Sequence, residues 1–324
     1  MGMFLGLMGM LLLGSMFLTD SENEDTGTGC DNRGEDAPET VQPEAKTEPD
    51  ADPAPGGDAG ASLIAFLDGT GSADTIPGTD GPDRVEAGDG DDSVSGDAGN
   101  DTILGGAGDD GLFGADGDDV LRGDTGDDLL DGEAGQDSLY GGMGNDTGFG
   151  AVGADSLDGG AGHDALQGGP DDDMVVGGAG EDALQGGLGD DTVIGGPGAD
   201  TLFGGWGDDL VDGRDGDDES RDFVNGGGGA DTLLGGGMDI LTGGAGADTF
   251  DLIAMPGNAE VMDFEPAQDR LFVSYDGAFP PQLTLEPDPE AQGALRLMAD
   301  GSQIALLRGA EGLTVEQITL VASG

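Results

Sequence analysis

Along most of this chain a single apolar residue recurs every nine positions, flanked by small or polar neighbours. Ile76, Val85, Val94, Ile103, Leu112, Leu121, Leu130 and Leu139 open a series that runs on to Phe250. A nine-residue spacing belongs to no helix, whose apolar stripe returns every three to four residues. It predicts short strands, each burying one side chain, separated by tight turns. With the unit numbered from Gly69, the apolar residue stands at position eight. Asp stands at position six in every unit from Asp74 to Asp248 except one shortened unit, where Asp239 is at position five, and Gly dominates positions one, two and four. Sixteen units follow without interruption over 69–212. A thirteen-residue unit (213–225), one of nine, one of eight (235–242) and a last one of nine (243–251) complete the array. A fixed period of this length is the mark of a repeat architecture.

Each unit divides into two tasks. The first six residues, Gly-Gly-x-Gly-x-Asp, allow positive φ and close backbone approach, as a tight loop requires. The last three form a very short strand. Two units close one turn of a right-handed coil, which stacks the position-eight side chains between two parallel sheets. The expected fold is therefore an all-β, right-handed parallel β-roll of about ten turns at ~4.8 Å spacing.

Composition sharpens the chemistry. The 324 residues include 70 Gly and 15 Pro, with 69 acidic against 9 basic residues and a net charge of −60. Such a chain repels nucleic acid and anionic membrane surfaces, and its natural partners are cations. The single His163 excludes any site built on two or three imidazoles, and the lone Cys30 excludes an intramolecular disulfide. Aromatic residues, at 4%, are too few to suggest a stacking surface. Carboxylates stacked ~5 Å apart would repel by about 3 kcal/mol at an effective dielectric of ~20. A cation between the loops would remove that repulsion. Carboxylate and carbonyl oxygens on flexible turns suit Ca²⁺, with its six to eight oxygen ligands, better than Mg²⁺ or Zn²⁺.

Units such as GGAGEDALQ (177–185) and GGLGDDTVI (186–194) resemble the RTX (repeats-in-toxin) nonapeptide GGxGxDxUx, and the likeness extends over 69–251. The resemblance implies a Ca²⁺-binding β-roll in which each ion takes position-six carboxylates from loops n and n+2, such as Asp182 with Asp200 or Asp191 with Asp209. Backbone carbonyls of the Gly-rich positions would supply the other ligands. The metal-binding residues expected on that basis are Asp83, Asp92, Asp101, Asp110, Asp119, Asp128, Asp137, Asp146, Asp155, Asp164, Asp173, Asp182, Asp191, Asp200, Asp209, Asp218, Asp231, Asp239 and Asp248. Departures mark weaker places. Ser72 and Asp171 replace the fourth-position Gly, Gly148 replaces a core residue, Met238 takes a Gly slot, and four extra residues stand around 218–222. Full sites are expected from Gly78 to Asp209, with weaker ones after Gly213.

The ends read differently. Residues 1–18 are apolar and suggest a membrane anchor or an atypical signal peptide, and an anchor would bring membrane association. Residues 19–62 form an acidic, Pro-rich tether, 63–251 the roll, and 252–324 a β-rich cap. The tail, with VMDFEPAQDRLFV (261–273) and GLTVEQITLVASG at its end, resembles the uncleaved targeting region of type I secreted RTX proteins. That implies partnership with type I secretion machinery and a secreted or cell-surface location. Asp263, Glu265 and Asp269 have no partner acid, base or nucleophile and read as structural. No catalytic or organic cofactor residues are expected, and the chain reads as non-enzymatic. An adhesin or matrix module and a secreted RTX-associated enzyme are the alternatives. His163 and Trp206 read as solvent-facing loop residues.

Overall fold

The computed structural model describes residues 64–214 and 220–322. The apolar segment 1–18, the tether 19–62 and Asp218 lie outside the described residues.

Through the repeats successive strands alternate between two sheets, one of thirteen strands and one of fourteen. Ala65–Asp68 opens the first sheet and Thr75–Thr79 the second. Every pairing within the repeats is parallel; apart from offsets of twenty-two and seventeen across the two irregular units, each residue is matched to the one eighteen further along, as in Leu184 with Leu202 and Val175 with Val193. That offset is two nonapeptides, so two units make one turn. Within each strand, position eight points in and its two neighbours point out, the period of two that a pleated strand enforces.

The core is a double file of position-eight side chains. Val85, Ile103, Leu121, Val175, Val193 and Leu233 are fully buried in the first sheet, and Leu112, Leu202 and Leu241 in the second. Gly148 interrupts the second file. Phe149 does not fill the gap, since it stands on the outer surface. Leu166 leans in instead: a Cβ on Gly148 would stand 2.8 Å from its Cδ2 and 3.6 Å from that of Leu157. A small cavity remains there, lined by Leu130, Leu139, Leu157 and Leu166.

The tail continues both sheets. Arg270–Tyr275 pairs parallel with Thr249–Ile253, and Ile318–Ala322 pairs parallel with Arg270–Tyr275. Ser302–Leu307 joins the other sheet beside Ala259–Val261, followed by the antiparallel strands Leu295–Ala299 and Leu283–Pro287. Phe264 packs against Phe250, the last core residue of the repeats, with ring centroids 5.8 Å apart. Among the described residues no helix is long and apolar enough to cross a membrane.

Candidate metal centre

The position-six aspartates form two buried columns, one for each set of alternate loops. All those from Asp74 to Asp209 are buried, as are Asp222, Asp231, Asp239 and Asp248. Each column is tied by a repeated hydrogen bond, in which the backbone N–H of one aspartate donates to Oδ1 of the aspartate on the next turn. Asp164 donates to Asp182 at 2.8 Å, Asp182 to Asp200 at 2.9 Å and Asp191 to Asp209 at 2.9 Å. The carboxylates of loops n and n+2 are thus held in one file.

The thirteen-residue unit shows how strongly that file is enforced. Asp200 donates to Asp222, twenty-two residues on, at 2.8 Å, and Asp222 donates to Asp239 at 3.0 Å. The rung assigned by counting to Asp218 is filled by Asp222, so the extra residues precede the column aspartate. The core supplies the reason. Val224, two residues after Asp222, is buried as position eight must be, whereas Ser220 holds the same place after Asp218. The spacing Asp-x-aliphatic was the available signal. Beyond 213 the file continues without a gap through Asp231 and Asp248, and ends where Asp248 donates to Asp269 at 3.1 Å.

The second carboxylate oxygen sets the chemistry. In the aspartates from Asp92 to Asp191, and in Asp209 and Asp231, Oδ2 is buried and accepts no hydrogen bond. Buried polar atoms are almost always paired, and an unpaired anionic oxygen is the costliest exception. From Asp101 onward each such oxygen lies against the position-one glycine of its own unit. A Cβ on Gly177 would sit 2.5 Å from Asp182 Oδ2 and 2.8 Å from the carbonyl oxygen of Gly195. The missing side chain leaves a cradle in which a carboxylate oxygen and a main-chain oxygen of the next turn face each other, with no hydrogen between them. The Gly195 carbonyl accepts the N–H of Gly178 at 3.0 Å, so Asp182 Oδ2 is the oxygen without a donor, and a bare carboxylate oxygen beside a carbonyl suits a hard cation. Position four has another reason for glycine: Gly180 has φ of +145° and packs directly on the carbonyl of Gly162.

The first two rungs are built otherwise. Thr70 donates its N–H to Asp74 Oδ2 at 2.6 Å, and Thr79 donates its N–H to Asp83 Oδ2 at 2.7 Å. Asp83 therefore spends on its own loop the oxygen that Asp92 leaves bare. Asp239 does the same with the N–H of Gly236 at 2.8 Å.

Burial raises the affinity of these carboxylates for protons. Removal from water is the main cause, reinforced by like-charged neighbours and opposed by the incoming N–H bond. Asp128, Asp137 and Asp173 are pushed up to about 7. Asp101, Asp110, Asp164, Asp191 and Asp231 are pushed up to about 6.

Outside each column runs a second, exposed file at position five, where a side chain accepts from the backbone N–H of the following turn. Asp127 donates to Asp109 Oδ1 at 2.9 Å, His163 to Asn145 at 2.9 Å, and Glu181 to His163 Nδ1 at 2.9 Å. His163 is therefore a rung of a ladder, a role invisible in one nonapeptide. Asp263 accepts from Gly243 and Gly244, and Asp269 from Glu265 and Asp248, so both carboxylates have main-chain partners.

The family described as RTX calcium-binding nonapeptide repeat (4 copies) matches residues 77–112, 113–147, 149–184, 185–220, 219–237 and 235–252, more than half of the chain. The chain belongs to this family. It is a hemolysin-type RTX repeat protein that binds multiple calcium ions. No curated protein matches it. Among solved structures it is similar to a hyperactive, Ca²⁺-dependent, β-helical antifreeze protein from an Antarctic bacterium, at 19% identity over 62% of this chain and 77% of that one, with a TM-score of 0.43. It is also similar to the extracellular lipase LipA from Serratia marcescens, at 20% identity over 57% of this chain and 40% of that one, with a TM-score of 0.21.

Proposed function

We propose that this RTX protein is a non-enzymatic, extracellular calcium-binding module, exported through a type I system by its C-terminal region and folded by the calcium it meets outside. The observation that carries the reading is the run of buried Oδ2 atoms without a hydrogen-bond partner from Asp92 to Asp191. The ligands of each ion are position-six carboxylate oxygens and main-chain carbonyl oxygens of the adjoining Gly-rich loops, such as Asp182 and Gly195. Asp222 takes the role that counting gives to Asp218. When bound, calcium supplies the positive charge that lets the two acidic columns stack.

Linkage makes this a switch, because a ligand that binds only the folded chain stabilises it by about 2.7 kcal/mol per site at ~100 times its Kd. Extracellular calcium modules bind at about 10⁻⁴–10⁻³ M, above cytosolic concentrations, so the chain stays unfolded for export and folds afterwards. The non-enzymatic reading is supported by Asp263 and Asp269, whose oxygens accept main-chain N–H groups.

The test is a Ca²⁺ titration of the full chain followed by far-UV circular dichroism and Trp206 fluorescence, with Mg²⁺ alongside. A cooperative gain of β signal with Ca²⁺ and little response to Mg²⁺ is expected. No transition up to ~10 mM, ten times the weak end of the extracellular range, would overturn the switch.

A further inference from the structure

Six neighbouring strands of the fourteen-stranded sheet stand apart from the rest of the molecule. They are Thr147–Phe149, Ala165–Pro170, Ala183–Leu188, Thr201–Trp206, Phe223–Gly228 and Ile240–Ala245. None contains Asp, Glu, Lys or Arg, in a chain whose net charge is −60. The strand before them carries Asp131 and Glu133, and the strand after them carries Glu260. The opposite sheet has no comparable stretch, because Asp158, Asp212 and Asp251 interrupt it over the same turns.

Stacking sorts the outward side chains of this face into rows. Phe149, Gln167, Gln185 and Phe203 occupy one row, each in register with the next. Leu188 and Trp206 are paired neighbours in a second row at the strand ends. Phe203 is 46% exposed and Trp206 71% exposed. Trp206 is nevertheless held in place: a Cβ on Gly228, the next rung, would lie 3.3 Å from its ring. One side of the indole rests on glycine backbone, and much of the ring remains open. The aromatic residues are few, but the register gathers them on one surface.

We propose that this face binds an uncharged, extended polysaccharide. Exposed aromatic rings offer apolar faces to the C–H faces of sugar rings. The two glutamines between Phe149 and Phe203 offer amide donors and acceptors to hydroxyl groups. Rungs at ~4.8 Å repeat these groups along a line, as a linear polymer requires. Charge selects the class of ligand. A polyanion is repelled by the surrounding carboxylates, and a polycation finds its complement on the aspartate edges rather than on this face. A second copy of the chain fits less well. Five rungs of six residues and one of three present about 500 Å², against the ~800 Å² per partner of a standard stable interface.

The experiment titrates the full, calcium-saturated chain with cellohexaose and xylohexaose, with alginate as the polyanionic control, reading Trp206 fluorescence and calorimetry. A saturable Trp206 shift with a neutral oligosaccharide and none with alginate is expected. Phe203→Ala and Gln185→Ala should weaken binding, the former by about fivefold, while Tyr140→Ala on the opposite sheet leaves it unchanged. Circular dichroism confirms that each variant keeps the calcium-dependent fold. The proposal fails if neither neutral probe binds, if alginate binds equally, if Tyr140→Ala costs as much as Phe203→Ala, or if sedimentation shows two copies joined through this face.

Discussion

The carboxylate of a position-six aspartate has two oxygens with different tasks. Oδ1 takes the N–H of the preceding turn and fixes the register, while Oδ2 is left facing the glycine of its own unit. Glycine at position one follows from space alone, since no positive φ is involved at Gly177. Position two is more permissive. Asp97, Asp124 and Glu133 stand there with φ between 66° and 71°, accepting a left-handed backbone that glycine adopts without strain. Gly177→Ala should therefore be damaging out of proportion to one methyl group. Its Cβ would meet a main-chain carbonyl oxygen that cannot swing away, as well as the Asp182 carboxylate. A several-fold rise in the Ca²⁺ midpoint is expected by circular dichroism, and an unchanged midpoint would show that this cradle is not where the ion is held.

A strand here is only as long as its neighbours allow, and its identity depends on the pair of residues that enter the core and the column together. Asp222 and Val224 illustrate the rule. The chain absorbs four extra residues so that the Asp-x-aliphatic pair meets the same partners as in a regular turn. Asp222→Ala is expected to raise the Ca²⁺ midpoint and lower the cooperativity of folding, because it removes the carboxylate that accepts the N–H of Asp200. Asp218→Ala should have a much smaller effect in the same titration. Equal effects would mean that position in the count, and not pairing with the core, selects the ligand. The tail strands follow the same logic: Asp269 receives the last N–H of its column, and Leu271, two residues on, is buried in register with Phe250.

At the scale of the whole molecule, the roll concentrates like charge in two buried columns. Protons and calcium are alternative ways of neutralising them. The folded carboxylates of Asp128, Asp137 and Asp173 are raised to about 7, well above the ~3.9 of an unfolded aspartate. In the metal-free chain the folded state therefore holds more protons than the unfolded state between about pH 4 and 7. By linkage its stability is greatest below the unfolded value and is lost as pH rises through the folded one. Lowering the pH of the metal-free chain from 8 to 5.5 should increase its β signal in circular dichroism. Saturating the sites should require more Ca²⁺ at pH 5.5 than at pH 7.5, because protons occupy the same oxygens. Acidification that diminishes the β signal would contradict the burial of these carboxylates.

Much of this was legible along the chain. The nine-residue period, the alternation of buried and exposed positions around position eight, the repeated aspartate and the glycines are local features, and local features set the strand, the loop and the class of ion. Asp222 was within reach too, through its spacing from Val224. The tertiary structure alone decided what depends on residues eighteen or more apart. It made His163 a rung between Asn145 and Glu181, and it placed Leu166 rather than Phe149 beside the gap at Gly148, where a small cavity remains. It also brought Phe149, Phe203 and Trp206 onto one uncharged face. The physical reason is common to all three: a side chain's partner in a stacked coil lies one full turn away, and only the folded register says which residue that is.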